Sequence, residues 1–314
     1  MEQLGSARHR IFFTEVGPRD GLQNLDRDLP TASKLALVEE LLDADLDQVE
    51  VTSMVSPRWV PRMADAEALL AALVEARGHG VWRRIRVLVP NLVGLDRALA
   101  AGAQRVVANL GATEAFNQAN LRQGVEDTLA DLEVMAARAH DHGSSLDVGI
   151  SCAFGCPFEG RVNPDRVAML ADRVQDLGAA EIGIADTIGV ADPAQVSSLI
   201  ELLVRSGVAA EQLSLHLHDT RGMGLANALA AYESGVRRFE GSVGGIGGCP
   251  FAPRSTGNVC SEDLLHLLQR VGAEISADLE ALCSTSQHLE ALLGRELPGR
   301  LYRAGLWSGK PATS

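Results

Sequence analysis

Two histidines separated by one residue stand at the end of a predicted strand. His216 and His218 belong to the run LSLHLHDT (213–220). Alternate side chains of a strand share a face, so both imidazoles can point the same way. Two imidazoles on one face form half of a metal site. The competing interpretation makes one histidine a packed core residue and the other merely polar.

An arginine and an aspartate follow another strand, in EVGPRDG (15–21). Pro18 stiffens the turn. Asp20 could supply a carboxylate oxygen to the same metal, and the fixed charge of Arg19 could face a developing oxyanion. The alternative is an ordinary turn that carries a solvated ion pair.

Two further carboxylates end predicted strands. Glu50 lies in QVEVTS (48–53) and either holds Arg19 in place or is a surface charge. Asp186 lies in ADTIG (185–189) and is either a helix N-cap or a polar site residue. By itself this position favours the N-cap, because Asp is preferred there.

A glycine-rich segment, SVGGIGGCPFAPRSTGN (242–258), follows the last predicted strand. Its backbone N–H groups could bind phosphate, as loops at this place often do in α/β barrels. Alternatively, the glycines are hinges of a lid that brings Cys249 into the site as a proton carrier. The simplest interpretation is a flexible loop with an incidental thiol. At its end, the amide oxygen of Asn258 could complete a metal shell.

Strand and helix patterns alternate eight times along the chain, which predicts a TIM (β/α)8 barrel, an α/β fold. An open doubly wound sheet is the main alternative. We expect one domain over residues 1–314, with the barrel at 11–272 and a helical addition and tail at 273–314. The predicted strands are 11–16, 48–51, 85–89, 105–110, 146–153, 181–186, 213–218 and 237–243, and the main predicted helices are 33–44, 65–76, 125–143, 164–178, 193–207, 224–235, 261–272 and 279–297.

The composition of the chain disfavours several classes of binding partner. The chain has 314 residues and a formal net charge of -13, which disfavours nucleic acid and anionic membranes. No apolar run is long enough to span a membrane, and the N-terminus has no apolar signal core. Five cysteines, an odd number, indicate reduced thiols and a cytoplasmic protein.

Several of these motifs together resemble one enzyme family. In order over about residues 11 to 270, the chain strongly resembles the 3-hydroxy-3-methylglutaryl-CoA lyase family. The Cys-containing glycine loop is the most specific element, whereas the HxH and Arg-Asp elements also occur in isopropylmalate and citramalate synthases. The matching segments are EVGPRDGLQN (15–24), VEVTSMVSPRWVPRM (49–63), SCAFGCPFEGRV (151–162), ADTIGVADP (185–193), HLHDTRGMGLANALAAYESGV (216–236) and SVGGIGGCPFAPRSTGNVCSEDLL (242–265).

The resemblance implies a set of residue roles. Arg19 would stabilise the enolate of the departing acetyl-CoA, and Cys249 would be the acid or base of a mobile loop. Glu50 and Asp186 match positions that matter for activity, and Gln23 matches a polar position beside the Arg-Asp pair. A divalent cation, Mg or Mn, would be held by Asp20, His216, His218 and Asn258.

The implied reaction is a retro-Claisen cleavage of 3-hydroxy-3-methylglutaryl-CoA to acetoacetate and acetyl-CoA. A base must take the proton of the C3 hydroxyl, and Asp20 and His216 are the two candidates. Members of the family usually act in leucine breakdown and usually form homodimers. The predicted helix at 279–297 offers an apolar face for such association.

Some residues depart from the family pattern where the acyl group could bind. Arg254 places a cation on the glycine loop, and Asn109 and Gly111 replace small residues of the fourth strand. A lyase for a related 3-hydroxy-3-alkylglutaryl-CoA or for citramalyl-CoA is therefore the close alternative. Two other classes are a synthase that condenses acetyl-CoA with an α-keto acid, and a non-catalytic metal-binding barrel that acts as a scaffold.

Overall fold

Eight parallel strands close into a barrel in the computed structural model, which describes residues 9–248 and 257–307. The barrel order is β1-β10-β9-β8-β5-β4-β3-β2, so the TIM-barrel prediction is confirmed and the open sheet is wrong. Every predicted strand corresponds to one barrel strand. The strands are β1 (Phe12–Glu15), β2 (Gln48–Ser53), β3 (Ile85–Leu88), β4 (Arg105–Gly111), β5 (Ser145–Ser151), β8 (Ile182–Asp186), β9 (Leu213–Leu217) and β10 (Arg238–Gly241), with a separate hairpin of β6 (Gly155–Cys156) and β7 (Gly160–Arg161).

Helices follow the barrel strands and surround them. Their starts carry ordinary capping chemistry: Asn163 accepts from the N–H of Asp165, and Asp192 forms a capping box with Gln195. The helices are α1 (Thr31–Asp43), α2 (Ala66–Arg77), α3 (Leu92–Ala100), α4 (Glu114–Leu121), α5 (Val125–Asp141), α6 (Pro164–Asp176), α7 (Pro193–Arg205), α8 (Gly224–Glu233), α9 (Ser261–Arg270), α10 (Leu279–Leu293) and α11 (Leu301–Ala304).

The added C-terminal helix α10 packs within the chain. It lies against α1 and α9, the first and last helices of the ring, and Leu282 and Leu289 are buried in the chain. Its main apolar face is therefore covered by the chain itself, contrary to the expectation that this helix offers its face to a second copy. Across the described ranges, 9–248 and 257–307, we find no helix with the length and apolar character needed to cross a membrane.

Charged side chains occupy the middle of the barrel. Arg86 on β3 is 2% exposed and is the largest fully buried side chain among the described residues. Its guanidinium lies within 4 Å of carboxylates from four other parts of the barrel wall: Glu50, Asp147, Glu181 and Glu240. Unpaired burial of such charges is costly, so the barrel wall is bound together by ion pairs as well as by its strand ladder.

Candidate functional site

A cavity of about 370 Å³ opens above this charged layer, at the carboxyl ends of the barrel strands. The position agrees with the sequence prediction. Its lining includes most of the predicted site residues, namely Arg19, Asp20, Gln23, Glu50, Asn109, His216 and His218. Cys249 and Arg254 lie outside the described residues.

The turn after β1 is a single turn of π-helix, Gly17–Gly21. The carboxylate of Glu15 holds it by accepting from the backbone N–H of Gly17 at 2.7 Å. The same oxygen accepts from the N–H of Val243 at 2.9 Å, which ties this turn to the loop after β10. No side chain fits at Gly21, where a Cβ would lie 2.6 Å from Ile246. The turn therefore presents Arg19 and Asp20 to the cavity in one fixed arrangement.

Arg19 is a buried cation with two carboxylate partners. Its Nε donates to Glu50 Oε1, and its Nη1 donates to Asp20 Oδ1 at 2.6 Å. Burial alone would lower the pKa of Arg19, but the charges of Glu50 and Asp20 raise it. Both members of the Arg-Asp pair are 9% exposed, so the interpretation as a solvated surface pair is wrong. Glu50 is 0% exposed and holds Arg19, which settles its two alternatives.

Asp20, His216 and His218 form a compact cluster. Their ligand atoms all lie within 4.8 Å of one another. The Nε2 atoms of the two imidazoles face each other at 3.1 Å. The core-packing interpretation of the histidine pair is therefore wrong, because both rings converge on one carboxylate.

The electrostatics of the cluster favour the metal-binding forms of two of its three side chains, Asp20 and His218. Burial would raise the pKa of Asp20, but the positive charges around it, Arg19 foremost, lower it. Burial and the neighbouring His216 lower the pKa of His218 to about 3, which keeps that imidazole neutral. Burial opposes charge on His216 too, but the hydrogen bond to Glu240 raises its pKa. An ionised carboxylate and a neutral imidazole are the forms that bind metal.

Asn258 lies beside this cluster. Backbone bonds join its segment to β9, with the N–H of Val259 donating to Leu217 at 2.9 Å. Its Nδ2 donates to Asp20 Oδ2 at 2.8 Å, while its Oδ1 is buried without a partner in the described structure. A buried amide oxygen of this kind is costly unless something binds it. Two imidazoles, a carboxylate and this orphaned oxygen fit a divalent cation.

Asp186 occupies a different place from the one favoured by its sequence. Its oxygens accept from the N–H groups of Val190 and Ala191 at 2.9 and 3.0 Å, so it holds the turn after β8. The N-cap of α7 is Asp192, which lies six residues after Asp186, and the helix begins at Pro193. The N-cap interpretation of Asp186 is therefore wrong. The described lining of the cavity includes its neighbours Ala185 and Thr187 but not Asp186 itself.

Gln23 and Asn109 both reach the cavity. Gln23 Nε2 donates to Asp20 Oδ1 at 2.9 Å, which adds a third hydrogen bond to that carboxylate. Asn109 lies on β4 beside Gly149 of the neighbouring strand β5. A Cβ at Gly149 would lie 2.9 Å from Asn109 Oδ1, so the amide occupies the space that this glycine leaves open. Asn109 thus forms part of the cavity floor.

Sequence reasoning missed two residues of the site, Arg86 and Glu240. Both line the cavity. Glu240 Oε2 accepts from His216 Nδ1 at 2.9 Å, which directs Nε2 of that ring toward the cluster. The available signal was a charge inside each apolar strand, IRVLV and RRFEGSV, since a barrel strand buried on both faces places such a charge in the interior.

Comparison with known proteins identifies the family. The family model described as HMGL-like matches residues 10–289, which is most of the chain. The chain belongs to the HMGL-like family. The resemblance found in its motifs is thereby confirmed, and the barrel described above is the fold of solved members.

Three relatives show the range of the family around this chain. A protein of Chloroflexus aurantiacus named (R)-citramalyl-CoA lyase is 41% identical over 94% of this chain and 95% of its own length. A Pseudomonas aeruginosa 3-hydroxy-3-isohexenylglutaryl-CoA/hydroxy-methylglutaryl-CoA lyase is 39% identical over 94% of this chain and 97% of its own. The structure of an HMG-CoA lyase from Acinetobacter baumannii, in complex with coenzyme A and 3-methylmalate, superposes with a TM-score of 0.89 at 36% identity, covering 97% of this chain and 98% of that chain.

Proposed function

We propose that the protein is a divalent-cation-dependent carbon–carbon lyase that cleaves 3-hydroxy-3-methylglutaryl-CoA to acetoacetate and acetyl-CoA. The observation that carries this proposal is the cluster of Asp20, His216 and His218 with Arg19 in the same cavity. The family, in which relatives are named as lyases of branched 3-hydroxyacyl-CoA thioesters, supports the reaction class.

The cation, Mg²⁺ or Mn²⁺, would be held by two imidazoles and two oxygens. When bound, it lowers the pKa of the substrate's C3 hydroxyl and neutralises the adjacent carboxylate. The ligands would be Asp20, His216, His218 and Asn258.

The chain's own residues supply the remaining chemistry. Asp20 and His216 are our two candidates for the group that accepts the proton of the C3 hydroxyl, and this C–O group becomes the ketone carbonyl as the C2–C3 bond breaks. The bonding pair moves onto the thioester as an enolate, and the fixed guanidinium of Arg19 stabilises its oxygen. Protonation of the enolate carbon then gives acetyl-CoA. On the sequence, Cys249 is our candidate for that proton donor, and Arg254 is our candidate for a contact to the CoA or acyl group.

The floor of the cavity supports a second candidate substrate. Asn109 brings a hydrogen-bonding amide to a place where a simple alkyl group needs only apolar contacts. Together with the relative named (R)-citramalyl-CoA lyase, this favours citramalyl-CoA as the alternative. Its cleavage by the same bond changes would release acetyl-CoA and pyruvate. A 3-hydroxy-3-alkylglutaryl-CoA with a longer chain is the third candidate.

The test is a product assay on metal-stripped protein reloaded with Mg²⁺ or Mn²⁺. Each of the three thioesters is offered, and acetyl-CoA and the keto product are followed, with a chelator control and an Arg19→Met control. We expect chelator-sensitive release of acetoacetate and acetyl-CoA in equal amounts. Release from citramalyl-CoA alone would overturn the acyl assignment but keep the lyase. Metal binding without any cleavage would overturn the lyase, and release of free CoA from acetyl-CoA plus a keto acid would indicate a synthase.

We also propose a homodimer of single-domain subunits in the cytoplasm, with the barrel at residues 11–272 and the helical addition and tail at 273–314. Cys156, Cys260 and Cys283 are buried free thiols, which supports a reducing compartment. Sedimentation would measure the oligomeric state, and limited proteolysis would test the boundaries, since a single domain should yield no stable barrel fragment.

A further inference from the structure

We infer that Arg86 is a positioning residue that orients both Arg19 and His216 from below the cavity. The inference rests on the proposed function for its catalytic half, and on metal binding alone for the other half. Arg86 itself is not placed to touch the reacting atoms, since each of its close contacts is to a carboxylate that in turn holds a site residue.

The first branch of contacts leads from Arg86 through Glu50 to Arg19. Arg86 Nε and Nη2 lie 2.6 and 2.5 Å from Oε2 of Glu50. The other oxygen of that carboxylate accepts from Arg19 Nε. Glu50 is fully buried between the two guanidinium groups, so its position sets the direction in which Arg19 faces the cavity.

The second branch of contacts leads from Arg86 through Glu240 to His216, one of the proposed metal ligands. Arg86 Nη2 donates to Glu240 Oε1 at 2.5 Å. The other oxygen of Glu240 accepts from His216 Nδ1 at 2.9 Å. That bond fixes the ring orientation and leaves Nε2 directed at the cluster, the arrangement in which outer carboxylates tune metal-binding histidines.

The other two carboxylates of the buried charge layer, Asp147 and Glu181, are paired with a different arginine. The positioning role of Arg86 is therefore distinct from a general stabilisation of this layer. Asp147 accepts from Arg105 at 2.7 Å, and Glu181 accepts from Arg105 at 2.8 Å. Arg86 is more distant from these two carboxylates, at 3.8 and 3.6 Å. The short contacts of Arg86 are therefore directed at the site, whereas those of Arg105 are directed away from it.

The geometry also explains why a guanidinium is needed here. A planar fork can hold two carboxylates in fixed directions at once, whereas a lysine ammonium is a point charge on a flexible stem. Without Arg86, Glu50 and Glu240 would share a buried space with no cation between them. At least one of them would turn away, and the residue that it holds would lose its orientation.

The experiment compares Arg86→Met with a matched control, Arg105→Met, which removes a partly buried arginine that contacts two carboxylates of the same charge layer. Mn²⁺ affinity is measured without substrate by titration calorimetry, and kcat and KM are measured on the substrate that the wild type cleaves. For Arg86→Met we expect Mn²⁺ affinity weaker by about 10–100-fold, as for loss of an outer-shell partner, with a fall in kcat larger than the change in KM. For Arg105→Met we expect both quantities to stay near wild type, even if the melting temperature falls.

A double variant keeps the test decisive if Arg86→Met does not fold. Arg86→Met with Glu240→Gln removes one stranded charge, and the amide oxygen can still accept from His216. We expect this variant to recover Mn²⁺ affinity but not kcat, because Glu50 remains without its partner. Wild-type affinity and kcat in folded Arg86→Met, or equal losses in Arg105→Met, would overturn the inference. A wild type that binds Mn²⁺ but cleaves no thioester would instead refute the proposed function and leave the affinity comparison valid.

Discussion

Replacing Glu15 with glutamine should change how the stability of the protein depends on pH. Glu15 is fully buried, and burial raises its pKa from 4.5 to about 8, despite the hydrogen bonds that it accepts. Oε1 accepts from the N–H groups of Gly17 and Val243, and Oε2 accepts from Ser261 Oγ at 2.5 Å. A glutamine oxygen can keep the two backbone bonds, and its NH2 group can donate to the serine oxygen. The substitution therefore removes the titration with little change in contacts.

The sign and size follow from proton linkage. The folded pKa lies above the unfolded one, so the folded state holds a proton that the unfolded chain has already lost. The wild type is therefore destabilised progressively as pH rises from about 4.5 to about 8. For pKa values of 4.5 and about 8, the loss between about pH 5 and about pH 8 is about 3 kcal/mol. Glu15→Gln lacks this loss, so the variant should gain about that much relative to wild type over the same range.

Urea unfolding at the two pH values measures the difference directly, through the midpoint and the slope m. The matched control is Glu126→Gln, the same substitution at an exposed position of α5. The reasoning would be refuted if the difference in unfolding free energy between wild type and Glu15→Gln were the same at both pH values. Such a result would mean that Glu15 is ionised in the folded protein and that its hydrogen bonds outweigh its burial.

Other predictions concern the reaction. Cys249→Ala should lower turnover by about 10²–10⁴-fold while Mn²⁺ affinity stays unchanged, since it removes only an acid–base group; normal turnover would exclude that role. His216→Ala should weaken Mn²⁺ binding by more than the about 10–100-fold typical of an outer-shell loss, and unchanged affinity by calorimetry would remove it from the ligand set. Asn109→Ala should raise kcat/KM for a long-chain 3-alkyl thioester relative to the methyl compound by about tenfold, whereas Asn120→Ala, also in the cavity lining, should leave the ratio unchanged. Equal ratios in both variants would place the acyl group elsewhere.

The barrel was predictable because its periodic signals are local. The barrel strands are short runs rich in apolar residues, and most are followed by an amphipathic stretch that ends near glycine. The βα repeat can therefore be recognised in the sequence without tertiary information. Helices α3, α4 and α11 and the two-residue strands β6 and β7 were not predicted. All of them are brief, so a period has little length in which to show.

The candidate site was predictable to the extent that its residues stand at strand ends. Asp20, His216 and His218 meet because parallel strands end at one edge. The role of Asp186 was not predictable, since an aspartate that holds a turn and one that caps a helix have the same local sequence chemistry. The link from Arg86 to the site depends on side-chain directions inside a closed barrel. Such contacts join residues far apart in sequence, and no spacing rule encodes them.

Gly247 and Gly257 lie against each other directly before Asn258. The two backbones approach so closely that a Cβ on Gly257 would lie 2.7 Å from the carbonyl carbon of Gly247. Asn258 follows Gly257 immediately. The contact between the two glycines fixes the chain just before Asn258, which donates to Asp20. We therefore expect changes in the length or composition of the sequence between the glycines to leave Asn258 and Asp20 in place. The proposed cation ligands can in this way be inherited together while the sequence between the two glycines changes.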